Sequence, residues 1–337
     1  MGYMPYFSTR LGMRPVWEAY ISDAAFAMMG LAGPCSVAHP YNQYRGGIRG
    51  SCVNTIIGFL IVSGSVVGGY ILSHGHLATL LQPYELLIIG GSAFGAFMVS
   101  NPMSLVIKTF KGVPTLLSGS KYNKATYLDL LTLMYELFTK ARKEGLMAVE
   151  SDIEEPESSE IFSKYPKITK NHHVLEFIVD YMRLIVSGGM NPFELDNLMS
   201  MELEAHHHES HEAPSALTRV ADGLPGFGIV AAVLGVVITM GSLDQPPQVI
   251  GAHVAAALVG TFLGILLAYG YVAPLAVALE HRAQEEANFF ECIKTCILAQ
   301  VQGYSPQIAV EFGRKAMYAS VRPGFQELED HLKGNKG

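Results

Sequence analysis

"GTFLGILLAYGYVAPLAVALE", from Gly260 to Glu280, is the stretch that decides the fold. It prolongs an apolar run that begins near Val249, and its first charged side chain is the last residue quoted. A bilayer core needs about 17–25 apolar residues per helix. The run from Val249 to Leu279 exceeds that, which predicts tilt or continuation beyond the membrane. The quoted residues include Thr261, Tyr269 and Pro274 but nothing that titrates near neutral pH. A transport protein built on such a helix must find its ion-binding group elsewhere.

Three further runs have the same character: Asn54 to Leu72, Leu86 to Ser100 (short unless Tyr84 and Met103 join it), and Leu224 to Ser242. The expected fold class is therefore all-α, a polytopic membrane protein with four transmembrane helices and a helical cytoplasmic domain. Composition agrees, with half the 337 residues hydrophobic and 16% charged, against about 25% in soluble domains. A net charge of −7 without a basic stripe argues against a nucleic-acid partner. Cys292 and Cys296 stand four apart on a helical pattern, and without a second ligand pair they read as free, structural thiols.

Lys and Arg set the orientation. None lies between Ser51 and Pro102 or between Val220 and His281, whereas 12 lie in Met103–Ala221 and seven after His281. The positive-inside rule places the middle segment and the tail in the cytoplasm. The chain divides into an N-terminus 1–52, a first hairpin of spans 53–102, a cytoplasmic helical domain 103–222, a second hairpin 223–281 and a cytoplasmic helical tail 282–337. Residues 1–52 hold four Arg and only a brief apolar patch. They read as an over-extended, disordered start, with Val53 as the expected first residue of the natural protein.

In the middle segment, Leu128, Leu131, Met134, Leu137 and Phe138 recur at helical spacing and Gly145 is a plausible stop. Two more helices are expected to either side of a turn at Ser187–Pro192. "ESDIEEPESSE" reads as a solvated acidic loop with short turns. "EAHHHESHEAP" also reads as a solvated loop, although histidines four apart, within His206 to His211, are able to bind a metal. Paired glycines at Gly64/Gly68, Gly91/Gly95 and Gly260/Gly264 predict close helix packing, within the chain or between copies. No acid is read inside any span. Glu85 is placed at the outer end of the second, Asp244 in an outer loop, and His253 near the outer start of the fourth as an interfacial residue. Pro225 alone reads as a helix-start proline; Pro274 is expected to kink its helix.

The stretches "QPYELLIIGGSAFGAFMVSN", "SKYNKATYLDLL", "FIVDYMRLIVSGGMN", "LPGFGIVAAVLGVV", "VGTFLGILLAYGYVAPLA" and "GYSPQIAVEFGRKAMYASVRP" resemble the flagellar motor stator family MotA over about Val53 to Glu329. The resemblance implies five copies of this subunit around two copies of a MotB partner, whose membrane helix supplies the ion-binding aspartate. Protons, or alternatively sodium, would drive rotation of the ring, which pushes the rotor protein FliG in the inner membrane's cytoplasmic shadow. No covalent catalysis and no cofactor are implied. Residue by residue, Pro225 and Pro274 match prolines of the conformational cycle, Thr261 the position facing the partner's acid, and Ala232 and Tyr269 other pore-facing positions. Arg142 and Glu150 match the two rotor-contacting charges. Two rivals stay open at this point, an energiser of the ExbB/TolQ kind and a non-conducting membrane scaffold.

Overall fold

The computed structural model describes residues 50–116 and 119–334. The expectation for the N-terminus falls, apart from the last few residues of 1–52, outside the described residues. Every regular element among the described residues is helical, and four helices are long and apolar enough to cross a membrane. The first, α1 (Gly50–Leu72), is joined by the short helix Leu77–Leu80 to α2 (Pro83–Ser100). α2 starts earlier than its apolar run, with Pro83 in its first turn, where the missing N–H costs no intrahelical bond. It stops at Asn101–Pro102, and α3 (Met103–Thr115) follows.

α4 (Lys124–Glu144) begins at Asn123, whose side chain accepts from the Thr126 N–H, and ends at Gly145. Short helical turns at Leu146–Val149, Glu150–Glu154, Glu160–Ser163 and Pro166–Thr169 lead to α5 (His172–Ser187). α5 is closed by Gly188 at φ 68°, a left-handed conformation that a side chain would strain. Asn191 then opens α6 (Pro192–Met240) with a full capping box: its side chain accepts from the N–H groups of Phe193 and Glu194, and Glu194 reaches back to the Asn191 N–H.

α6 has 49 residues, about 70 Å at 1.5 Å per residue. It overturns two expectations. The histidine-rich stretch lies in the middle of this helix, not in a solvated loop, and Pro214 and Pro225 are both interior to it, so Pro225 does not start a helix. An interior proline costs about 3 kcal/mol. Packing offsets this at Pro214, where the neighbouring Ala213 and Ala216 are buried in a cluster with Phe97 of α2 and Leu105 and Val106 of α3. α7 (Pro247–Ile265) returns antiparallel to α6 and runs through a π-helical turn, Leu266–Val272, into α8 (Ala273–Val301). The run is 55 residues long, so it does continue well past a bilayer core. α9 (Pro306–Ala316) and α10 (Phe325–Gly334) complete the chain.

Two regions result. In one, α2, α6 and α7 pack closely while α1 leaves Leu60, Ile61 and Leu72 60–83% exposed. Such apolar faces need lipid or another copy, since each Å² left in water forgoes about 25 cal/mol. In the other, a single core joins the middle segment to the tail. Tyr127, Leu130, Leu137 and Phe138 of α4 pack with Ile178 of α5, Phe289, Ile293 and Ile297 of α8, and Val310 of α9. The two stretches divided in sequence thus share one interior. Cys292 and Cys296 are free and buried within it.

Candidate functional site

The residues expected along an ion path lie on α6 (Pro225, Ala232), α7 (Thr261), the turn that follows (Tyr269) and the start of α8 (Pro274). Small side chains bring the two helices together: a Cβ on Gly264 would lie 2.8 Å from both the Gly228 Cα and the Leu224 carbonyl oxygen, and one on Gly235 would lie 2.7 Å from the Ala257 Cβ. Helix association without a hydrophobic force rests on such close backbone approach. Gly64, Gly68, Gly91 and Gly95 face open space among the described residues.

Thr261 and Ala232 are half-buried on this hairpin, while Tyr269 is 64% exposed and Pro274 is also exposed. The Thr239 hydroxyl donates back to the Gly235 carbonyl at 2.8 Å. No comparable bond engages Thr261 among the described residues, which leaves its hydroxyl available to an external group. Pro274 stands second in α8, directly after the π turn. The wider turn gives room where the proline ring would otherwise meet the carbonyl four residues back, so the expected disturbance takes the form of a π segment. Tyr271 in that segment shares a 2.6 Å hydrogen bond with Ser63 of α1, and its ring lies 5.3 Å from that of Phe59. α1 is therefore fastened to the irregular turn.

Sequence reasoning placed Glu85 correctly at an end of the second span and missed its burial. Glu85 occupies the first turn of α2, yet it is only 8% exposed and its Oε2 has no hydrogen-bond partner. A Cβ on Gly260 would sit 2.9 Å from that oxygen, 3.2 Å from the Ala231 Cβ and 3.4 Å from the Ala232 nitrogen. The carboxyl group of this first-turn residue thus lies against the apolar runs of α6 and α7, beside Gly260. The burial has a geometric cause. The α6–α7 hairpin extends beyond the first turn of α2, so the start of α2 meets the middle of α7 and the apolar run of α6. A charge against an apolar helix pair is the signal that could have found it; proline two residues before it made Glu85 look like an ordinary helix-start acid.

The second candidate region is the exposed corner after α4. Arg142 in its last turn and Glu150, which opens the turn Glu150–Glu154, are both exposed, and between them Leu146 and Met147 expose 41% and 68% of their surfaces. Val149 is fully buried and anchors the corner. Arg142 also lines a cleft of about 470 Å³ with Ala141, Leu184, Met190, Gln300 and Tyr304. Below the corner, the acidic stretch is ordered. Asp152, 7% exposed, accepts from Lys140 Nζ at 2.6 Å and from Ser159 Oγ at 2.7 Å. Ser159 in turn caps the helix Glu160–Ser163. Further down, the Tyr122 hydroxyl donates to Glu286 at 2.9 Å. Burial, with the Glu286 charge beside it, pushes that phenol far above its ordinary pKa and keeps it a donor.

The histidines of α6 do not assemble a metal centre. His207 and His211 stack with ring centroids 4.2 Å apart, His206 lies 4.8 Å from the Phe290 ring, and no group of three or more metal-ligating side chains occurs among the described residues.

Two long apolar hairpins and a helical bundle with an exposed charged corner mark the class of four-span, all-helical membrane subunits. Comparison with known proteins makes the assignment specific. Residues 56–145 match the model described as "Motility protein A N-terminal" and residues 168–292 that described as "MotA/TolQ/ExbB proton channel family". The chain belongs to the MotA/TolQ/ExbB proton channel family. It is 50% identical over 278 residues to motility protein A of Salmonella typhimurium, covering 82% of this chain and 94% of that one. It is 37% identical over 281 residues to the chemotaxis protein LafT of Vibrio parahaemolyticus, covering 83% and 99%. The fold is similar to the C. jejuni MotAB structure, with a TM-score of 0.66 at 23% identity, covering 79% of this chain and 96% of that one. It is also similar to the MotAB stator complex from Bacillus subtilis, with a TM-score of 0.60 at 22% identity, covering 80% and 98%.

Proposed function

We propose that this chain is a stator subunit of a bacterial flagellar motor, forming with a MotB-like partner an ion channel that turns ion-motive force into torque. The observation that carries this is the 50% identity to motility protein A across nearly the whole of that relative. The partner supplies the ion-binding aspartate, and the proton is the coupling ion, with sodium as the alternative. Thr261, Ala232 and Tyr269 line the path beside the partner's helix, and Pro225 and Pro274 permit the helices to change shape. The work is mechanical, so no covalent step and no cofactor enter it.

The subunit sits in the inner membrane with the α4–α5–α8–α9 bundle in the cytoplasm, where Lys and Arg concentrate. Several copies, five by the family's pattern, close a ring around the partner. The exposed apolar side of α1 suits burial in lipid or against a neighbour. Arg142 and Glu150 press on FliG. Exposed charges of opposite sign steer and register a partner without holding it fast, which suits contacts made and released at every step.

The test is rescue of swimming in a strain deleted for this gene. The wild-type gene restores it; Arg142→Glu impairs it at least several-fold while leaving membrane insertion and partner assembly intact. Restoration of an outer-membrane energising function without swimming would assign the chain to the ExbB/TolQ side of the family. Normal membrane levels with neither activity would leave a scaffold.

A further inference from the structure

The stator reading takes its moving charge from the partner, yet this chain buries a carboxyl group of its own. We propose that Glu85 is a proton relay inside the subunit, on the path that ends at the partner's acid; the inference rests on the function proposed above.

Three observations carry it. First, Glu85 forms no ion pair among the described residues, and its Oε2 has no hydrogen-bond partner there. Neither hairpin contains a Lys or Arg from Ser51 to Pro102 or from Val220 to His281, so within the hairpins only a proton or a cation can neutralise the group. An unpaired carboxylate is strongly disfavoured in hydrocarbon. Second, the surroundings are small where the carboxyl group enters. Gly260, Ala231 and Ala232 form the wall, and a single added carbon at Gly260 would fall 2.9 Å from Oε2. Third, a second unpartnered polar atom lies on the same line. His253 precedes Gly260 by seven residues, two turns closer to the α6–α7 connection, and its Nδ1 is buried without a hydrogen bond. The other titratable groups nearby are few: α6 has none between Asp222 and Asp244, α2 has only Tyr84 besides Glu85, and α7 has only His253. Tyr269 and Tyr271 follow in the π turn.

In one cycle Glu85 accepts a proton from water on the side of the α6–α7 connection and gives one to the partner's carboxylate, directly or through water beside Thr261. It ends in its starting state, so one proton passes and nothing accumulates. His253 is placed to receive the proton first.

Single-motor speed per added stator, measured across external pH at constant total motive force, tests this in intact cells. Glu85→Gln keeps the shape and removes the exchangeable proton. It should cut the speed increment several-fold and flatten its dependence on external pH, while Glu85→Asp retains a substantial part of both. Gln motors equal to wild type at every external pH would overturn the relay. So would Gln and Asp motors equally slow with the wild-type pH profile, since that outcome marks a packing role. If Glu85→Gln does not accumulate in the membrane, the wild-type complex answers instead: dicyclohexylcarbodiimide, which attacks protonated carboxyl groups in apolar surroundings, should modify Glu85 less as pH rises. Absence of that adduct would also overturn the relay. Failure of the wild-type gene to turn a motor would remove the stator reading itself, so the two failures are distinguishable.

Discussion

Gly260 shows how much a single hydrogen atom in place of a side chain can decide. Its spacing from Gly264 predicts a helix-packing face, and Gly264 does serve one, against Gly228 and Leu224. Gly260 packs on α6 as well, against Ala231 and Ala232, and also makes room for a carboxyl group. Gly260→Ala should therefore disturb ion coupling more than stability, because the methyl displaces Glu85 Oε2 and crowds Ala231. Gly64→Ala, which meets nothing within 4 Å among the described residues, leaves the fold of the single subunit unchanged. Motor speed at matched membrane levels separates the two. Retained wild-type speed in Gly260→Ala would show that the acid tolerates displacement. Thr261, Ala232, Tyr269 and Pro274 were legible as residues of one run. The burial of Glu85 was not, because it depends on the stagger between helices, and no periodicity within α2 encodes that.

At the scale of elements, the breaks were more legible than the continuities. Gly145, Gly188 and the Asn191–Glu194 capping box stop and start helices for local reasons that stand in the residues themselves. The interior prolines of α6 mislead, because tertiary packing on Ala213 and Ala216 outweighs a local rule. The acidic stretch 150–160 does form short turns on a mostly exposed segment, as expected. Its composition is that of a solvated loop, yet Asp152 is held by Lys140 and Ser159. Asp152→Ala removes both bonds and should cost about 1–3 kcal/mol. Loosening of the corner that carries Arg142 and Glu150 should follow, seen as faster hydrogen exchange across 146–162 and as reduced torque without loss of insertion. Unchanged exchange there would mean that Val149 and its neighbours hold the corner alone.

For the whole molecule, the shared core is the route by which, on the proposed function, motion in the membrane would reach the exposed corner. α8 carries the π turn's neighbour Pro274 at one end and Phe289, Ile293 and Ile297 in the bundle core at the other. It is one continuous helix, so a change in the turn would move the interior against which α4 packs. Phe289, with ring centroids 4.8 Å from Tyr122 and 5.0 Å from Tyr127, is central to that joint. Phe289→Ala should cost about 3–5 kcal/mol, read as a lowered melting temperature of the detergent-solubilised complex. A melting temperature unchanged from wild type would contradict a single core. The division into a middle domain and a tail was drawn from the order of apolar and polar runs. Their union was not legible, because it depends on contacts between residues more than 150 positions apart.

The stator assignment is tested most directly by watching one motor. In a strain deleted for this gene and carrying it under an inducible promoter, a bead on a flagellar stub should begin to turn after induction. Its speed should rise in discrete, equal steps as units join, and every step should shrink together when the proton-motive force is lowered at constant sodium. A bead that stays still while the protein is present in the membrane with its partner would contradict the account.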